Sequence, residues 1–111
     1  MNGADRSVVV SRHALDRARL RFGSRVDWQE IHADVVAALH ADRISCRVPR
    51  FVAGTRSRWK AHKGARFVWT EDETRLYVIR PYQRDTHWKV ITSLRPFAIE
   101  LEELCSMPTA A

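Results

Sequence analysis

The spacing of apolar residues changes once along this chain, and that change sets its architecture. Before Asp42 they recur at helical intervals, and after it they follow a strand pattern. Ala14, Leu15, Ala18 and Phe22 form one apolar stripe. Ser11 is placed to cap that helix from Arg12, and Gly23 to end it. Trp28, Ile31, Val35 and Leu39 form the buried stripe of a second helix that starts at Asp27 and runs to about Ala41. Asp27 and Glu30 make a capping-box-like pair at its start.

Downstream, Ile44–Phe51 reads as a strand that Pro49 confines to an edge or a bulge. Residues 53–64 read as a loop or irregular hairpin. Arg66–Thr70 and Arg75–Arg80 pair around the polar turn Glu71-Asp72-Glu73. A second turn, Gln83–Thr86, leads to a last strand, Trp88–Leu94, which Pro96 stops. Phe97–Cys105 predicts a short C-terminal helix, and Val8-Val9-Val10 reads as an apolar lead-in. The expected fold is therefore α+β. Two N-terminal helices pack on one face of a three- to four-stranded antiparallel β-meander, with a short C-terminal helix. A chain of 111 residues suits a single domain, with residues 8–105 as its ordered core.

A composition of 45% hydrophobic and 29% charged residues indicates a globular chain rather than a disordered one. No apolar run approaches the ~20 residues of a membrane span. The three valines after Arg6 are too few for a secretion leader, so a cytoplasmic protein with no membrane partner is expected. Cys46 and Cys105 lack metal-ligand spacing and read as reduced thiols. Phosphate-loop, nucleophile-elbow and zinc-hydrolase motifs are missing, and His32 and His40 are wrongly spaced for zinc. The sequence therefore predicts no cofactor and no metal.

Charge is concentrated in the middle of the chain. Residues 1–42 are neutral, residues 67–111 carry −2, and Arg43–Arg66 carries +8 with no acidic residue, against +6 for the whole chain. A solvated face mixes signs, so a block of one sign points to a polyanion, of which RNA is the expected one. Trp59 lies among these cations, where it can stack on a base while its neighbours hold phosphate, or simply pack.

Metal-free RNA cleavage needs a base, an acid and cations around the phosphate. His13 lies in the first turn of the first helix, and Arg17 and Arg21 follow on the same helical row. Ser11-Arg12-His13-Ala14-Leu15-Asp16-Arg17-Ala18-Arg19-Leu20-Arg21-Phe22, with Val90-Ile91-Thr92-Ser93-Leu94 as the last strand, resembles DUF4258-type small proteins. Those look related to the barnase–EndoU–colicin–RelE class of RNase toxins. The resemblance covers most of residues 8–95. It implies a helix-plus-sheet nuclease with His13 as acid/base, Arg17 as phosphate contact and Thr92 as hydroxyl donor. It also implies an acidic antitoxin or immunity protein as partner.

The expected function is a metal-independent endoribonuclease of the toxin type. Arg21, Arg56, Arg58, Trp59, Lys60, His62, Lys63, Arg66 and Lys89 would contact nucleic acid. Two alternatives use the same cations without catalysis. One is a phage- or mobile-element-encoded nucleic-acid-binding protein, and the other an inhibitor that masks an acidic protein surface.

Overall fold

Local signals set both helices. In a computed structural model that describes residues 6–47, 49, 64–84 and 86–95, α1 spans Arg12–Phe22 and α2 spans Trp28–His40. Ser11 Oγ accepts from the Ala14 amide at 3.0 Å, and an Asp27 carboxylate oxygen accepts from the Glu30 amide at 2.9 Å. Gly23, at φ 140°, follows α1. Asp42 takes the left-handed φ of 61° after α2. There the Arg43 amide reaches back to Ala38 O at 2.8 Å and the Asp42 amide to Leu39 O at 3.2 Å. Helical periodicity ends at Asp42 because the chain reverses there.

Among the described residues there are five strands: β1 (Ser7–Val10), β2 (Ile44–Ser45), β3 (Arg66–Trp69), β4 (Leu76–Tyr82) and β5 (His87–Leu94). They lie in the order β1-β5-β4-β3-β2. The β2–β3, β3–β4 and β4–β5 pairs are antiparallel, whereas β1 pairs parallel with β5. The sheet is therefore mixed, not the purely antiparallel meander expected. Val8–Val10 is not a lead-in but an edge strand. The chain leaves it through α1 and α2 and returns to its side only at β5, running the same way. The Ser11 amide extends that pairing to Val90 O at 3.1 Å. Of the strand expected over Ile44–Phe51, the described residues form β2 at Ile44–Ser45. The C-terminal helix expected at Phe97–Cys105 lies outside the described residues.

Both helices cover one face of the sheet. Val68, Tyr77, Ile79, Trp88 and Val90 meet Ala14, Ala18, Ile31, Val35 and Leu39 in the main core. Ala14 and Ala18 are fully buried, and such small side chains let the α1 backbone approach β5 closely. Ser93 Oγ can then donate to Ala14 O at 2.9 Å. Trp28, expected in the buried stripe, is instead 54% exposed. It lies in the first turn of α2, before burial begins at Ile31, and meets His32 edge-on. On the other face, Ala65, Phe67, Leu76, Val78 and Leu94 form a second apolar cluster.

An irregularity in β5 decides which side chains reach which face. Ile79 pairs with Val90, but Val78 pairs with Thr92, so Ile91 is the extra residue of a bulge. Strict alternation from Trp88 and Val90 would put Thr92 under the helices. The bulge moves the phase by one, and Ser93 takes that place instead. Among the described residues, no helix is long and apolar enough to cross a membrane.

Candidate functional site

The expected trio does not meet. His13 is exposed on α1 and Arg17 is half-buried one turn later, both in the helical layer. Thr92 shares a rung with Val78, whose side chain belongs to the apolar cluster on the opposite face. The sheet therefore lies between Thr92 and the helix carrying His13. The bulge at Ile91 is the physical cause of this separation.

Other expected contacts have structural partners. Arg21 Nη1 donates to Ser93 O at 3.0 Å and ties the end of α1 to β5. Arg66 Nη1 donates to Ala65 O at 2.8 Å, and its rung partner Ile79 places it on the helix-covered face. Within the basic block, Arg43 Nε donates to Trp69 O at 2.8 Å. Arg56, Arg58, Trp59, Lys60, His62 and Lys63 lie outside the described residues.

The face away from the helices is buried at its apolar cluster and reaches solvent near the β4–β5 turn, where Arg80 and Tyr82 are exposed. Arg80 pairs directly with Lys89, and Tyr82 with His87, on two successive rungs of this face. Pro81 and Trp88 alternate to the helix side between them. Like charges directly opposite one another on a sheet destabilise it. Lys89 relieves part of this by leaning diagonally, so that its Nζ lies 4.8 Å from the centre of the Tyr82 ring. Thr92 and Val78 occupy the next rung beyond the bulge on the same face. Of the expected residues, then, Thr92 and Lys89 share a surface, together with Arg80, Tyr82 and His87.

The turn joining these strands adds two features. Gln83 and Arg84 both hold left-handed backbone angles, at φ 51° and 56°. Non-glycine residues adopt these at a cost of roughly 1–2 kcal/mol each. Thr86 Oγ1 lies 2.7 Å from Gln83 O and 2.7 Å from His87 Nδ1. A carbonyl oxygen only accepts, so the hydroxyl proton goes to Gln83. The same hydroxyl oxygen then accepts from His87 Nδ1–H. In the neutral ring this leaves the lone pair on Nε2, the atom that would take a proton from a bound ligand.

At the opposite end, α2 and the β3–β4 turn enclose an open cavity of about 650 Å³ lined by Asp34, Thr70, Glu71, Asp72, Thr74 and Arg75. Arg75 Nη1 donates to Glu30 and to Asp34 Oδ2, the latter at 3.2 Å, and the Tyr77 hydroxyl donates to the same Asp34 oxygen at 2.5 Å. Burial opposes the charge of Arg75, yet Glu30, Tyr77 and Asp34 outweigh it and make the guanidinium harder to deprotonate. Hydrogen bonds from Thr70 and Thr74 hold the Asp72 carboxyl below its usual range. Four carboxylates, Glu30, Asp34, Glu71 and Asp72, outnumber the one guanidinium and repel a polyanion, so this end ties α2 to the sheet while the β4–β5 end offers the cations.

Sequence reasoning missed Arg80, Tyr82 and His87. The signal was present in Arg80-Pro81-Tyr82 and His87-Trp88-Lys89, two triplets whose outer members must share a face. Comparison with models of known protein families, with curated proteins and with solved structures found no match to this chain.

Proposed function

We propose that the protein binds RNA at the exposed β4–β5 end of the sheet face that turns away from the helices. The observation that carries this reading is the direct pairing of Arg80 with Lys89, beside Tyr82 and His87. An arrangement that costs stability in the free protein gains when a phosphate lies between the two cations. The net charge of +6 draws a polyanion toward the molecule, and the acidic cavity at the far end disfavours binding there. Binding of labelled RNA measured across a salt series tests the reading. Arg80→Ala with Lys89→Ala is expected to weaken binding and to reduce the salt slope by roughly two. An unchanged slope places the contact elsewhere.

A second reading, metal-independent RNA cleavage of the toxin type, is favoured by the Gln83–Thr86–His87 chain of hydrogen bonds. Nε2 of His87 would take the proton of a ribose 2′-OH as its oxygen bonds to the phosphorus held by Arg80 and Lys89; the P–O5′ bond breaks and a water molecule protonates the departing 5′-oxygen. RNA incubated with the protein in EDTA should then be cut by the wild type and not by His87→Ala. Intact RNA with the wild type rejects cleavage and leaves binding standing.

A further inference from the structure

We infer that the ligand of this face is single-stranded, with one unstacked base resting on Tyr82. This rests on the RNA-binding reading and narrows it. Among the described residues, the exposed large apolar side chains are Leu20, Trp28 and Tyr82. The first two belong to the helical layer, and only Tyr82, 38% exposed, stands among cations on the sheet. Lys89 lies over one side of its ring, so the ring is held by a charge that also attracts phosphate.

The spacing agrees with a strand lying along β4 and β5. Successive rungs on one face are about 7 Å apart, of the order of one extended nucleotide. A base on the Tyr82–His87 rung therefore leaves its neighbouring phosphate over the Arg80–Lys89 rung. A duplex keeps its base faces stacked inside and has none to offer Tyr82, whereas a single strand offers every base. The turn beside this rung is strained. Gln83 and Arg84 keep long polar side chains at two left-handed positions, which non-glycine residues adopt only at a cost. Unrelieved strain of this kind collects at ligand sites.

The test uses the full chain and four probes: a labelled single-stranded oligoribonucleotide, the same strand annealed to its complement, the same strand with abasic positions, and heparin. The intact single strand is expected to bind tightest. Tyr82→Ala should weaken it roughly 5- to 150-fold, the range for losing one stacked base, while leaving the abasic strand and heparin unchanged. Tyr82→Phe should retain tight binding. The abasic comparison on the wild type guards against a variant that fails to fold. If wild type binds duplex, abasic and intact strands equally, stacking is refuted and the polyanion reading survives. Heparin binding without binding of any RNA refutes both, and so does a failure of all four probes to bind.

Discussion

Tyr77 and Asp34 hold the sheet and α2 together through a single short contact, the tyrosine hydroxyl donating to Asp34 Oδ2 at 2.5 Å. Burial, reinforced by Asp34, raises the Tyr77 pKa from its ordinary value of 10.0. The neutral phenol is the form the fold accommodates. Its contribution is complete below pH 10 and declines as the pH rises toward the elevated folded value. Tyr77→Phe should lose about 1–2 kcal/mol at neutral pH, because Asp34 gives up a donor. The difference from wild type should shrink above pH 10. Urea unfolding at several alkaline pH values measures both effects, and a constant difference would remove Tyr77 from the linkage.

Ser93 should matter to the fold and Thr92 should not. Ser93 is fully buried and its hydroxyl bonds Ala14 O, so Ser93→Ala should cost about 1 kcal/mol. Thr92 is half-buried on the other face, and Thr92→Ser should change stability by less than about 0.5 kcal/mol. Equal losses from the two substitutions would contradict the phase shift at Ile91.

Lys89→Glu should stabilise the protein while removing its binding. The exchange turns a like-charged rung into an ion pair with the exposed Arg80, a gain of about 0.2–1 kcal/mol. RNA affinity should fall, because a carboxylate then faces the phosphate. Parallel melting and binding measurements separate the two effects. A destabilised variant would mean that the Lys89–Tyr82 contact outweighs the repulsion.

The strain in the β4–β5 turn should be recoverable. Gln83→Asn with Arg84→Gly places residues tolerant of left-handed angles where φ is 51° and 56°. The expected gain is about 1 kcal/mol, read as a higher midpoint in urea. A lower midpoint would show that the side chains, not the backbone, set the stability of this hairpin.

His13→Ala should bind RNA as wild type does. The residue is exposed on α1, across the sheet from the cationic rungs. A large loss in this variant, measured beside His87→Ala, would move the binding face to the helical layer and overturn the assignment.

How far the sequence could be read follows from the range of each interaction. Ser11, Asp27, Gly23 and the apolar stripes act within a few residues, and both helices lie where those signals put them. The Glu71–Glu73 and Gln83–Thr86 turns were equally legible, since each joins strands adjacent in the chain. Three things required tertiary structure. The partner of Val8–Val10 lies some eighty residues away, and no local pattern names it. The exposure of Trp28 depends on where α2 begins to meet the sheet. The bulge at Ile91 is one unpaired residue, yet it carries Ser93 to the helices and Thr92 to the opposite face. Side-chain type and helical phase are properties of neighbouring residues, whereas sheet order and register are settled by whole-molecule packing. The sequence alone therefore supplied the cations and the histidines, and only the folded sheet decided which of them share a surface.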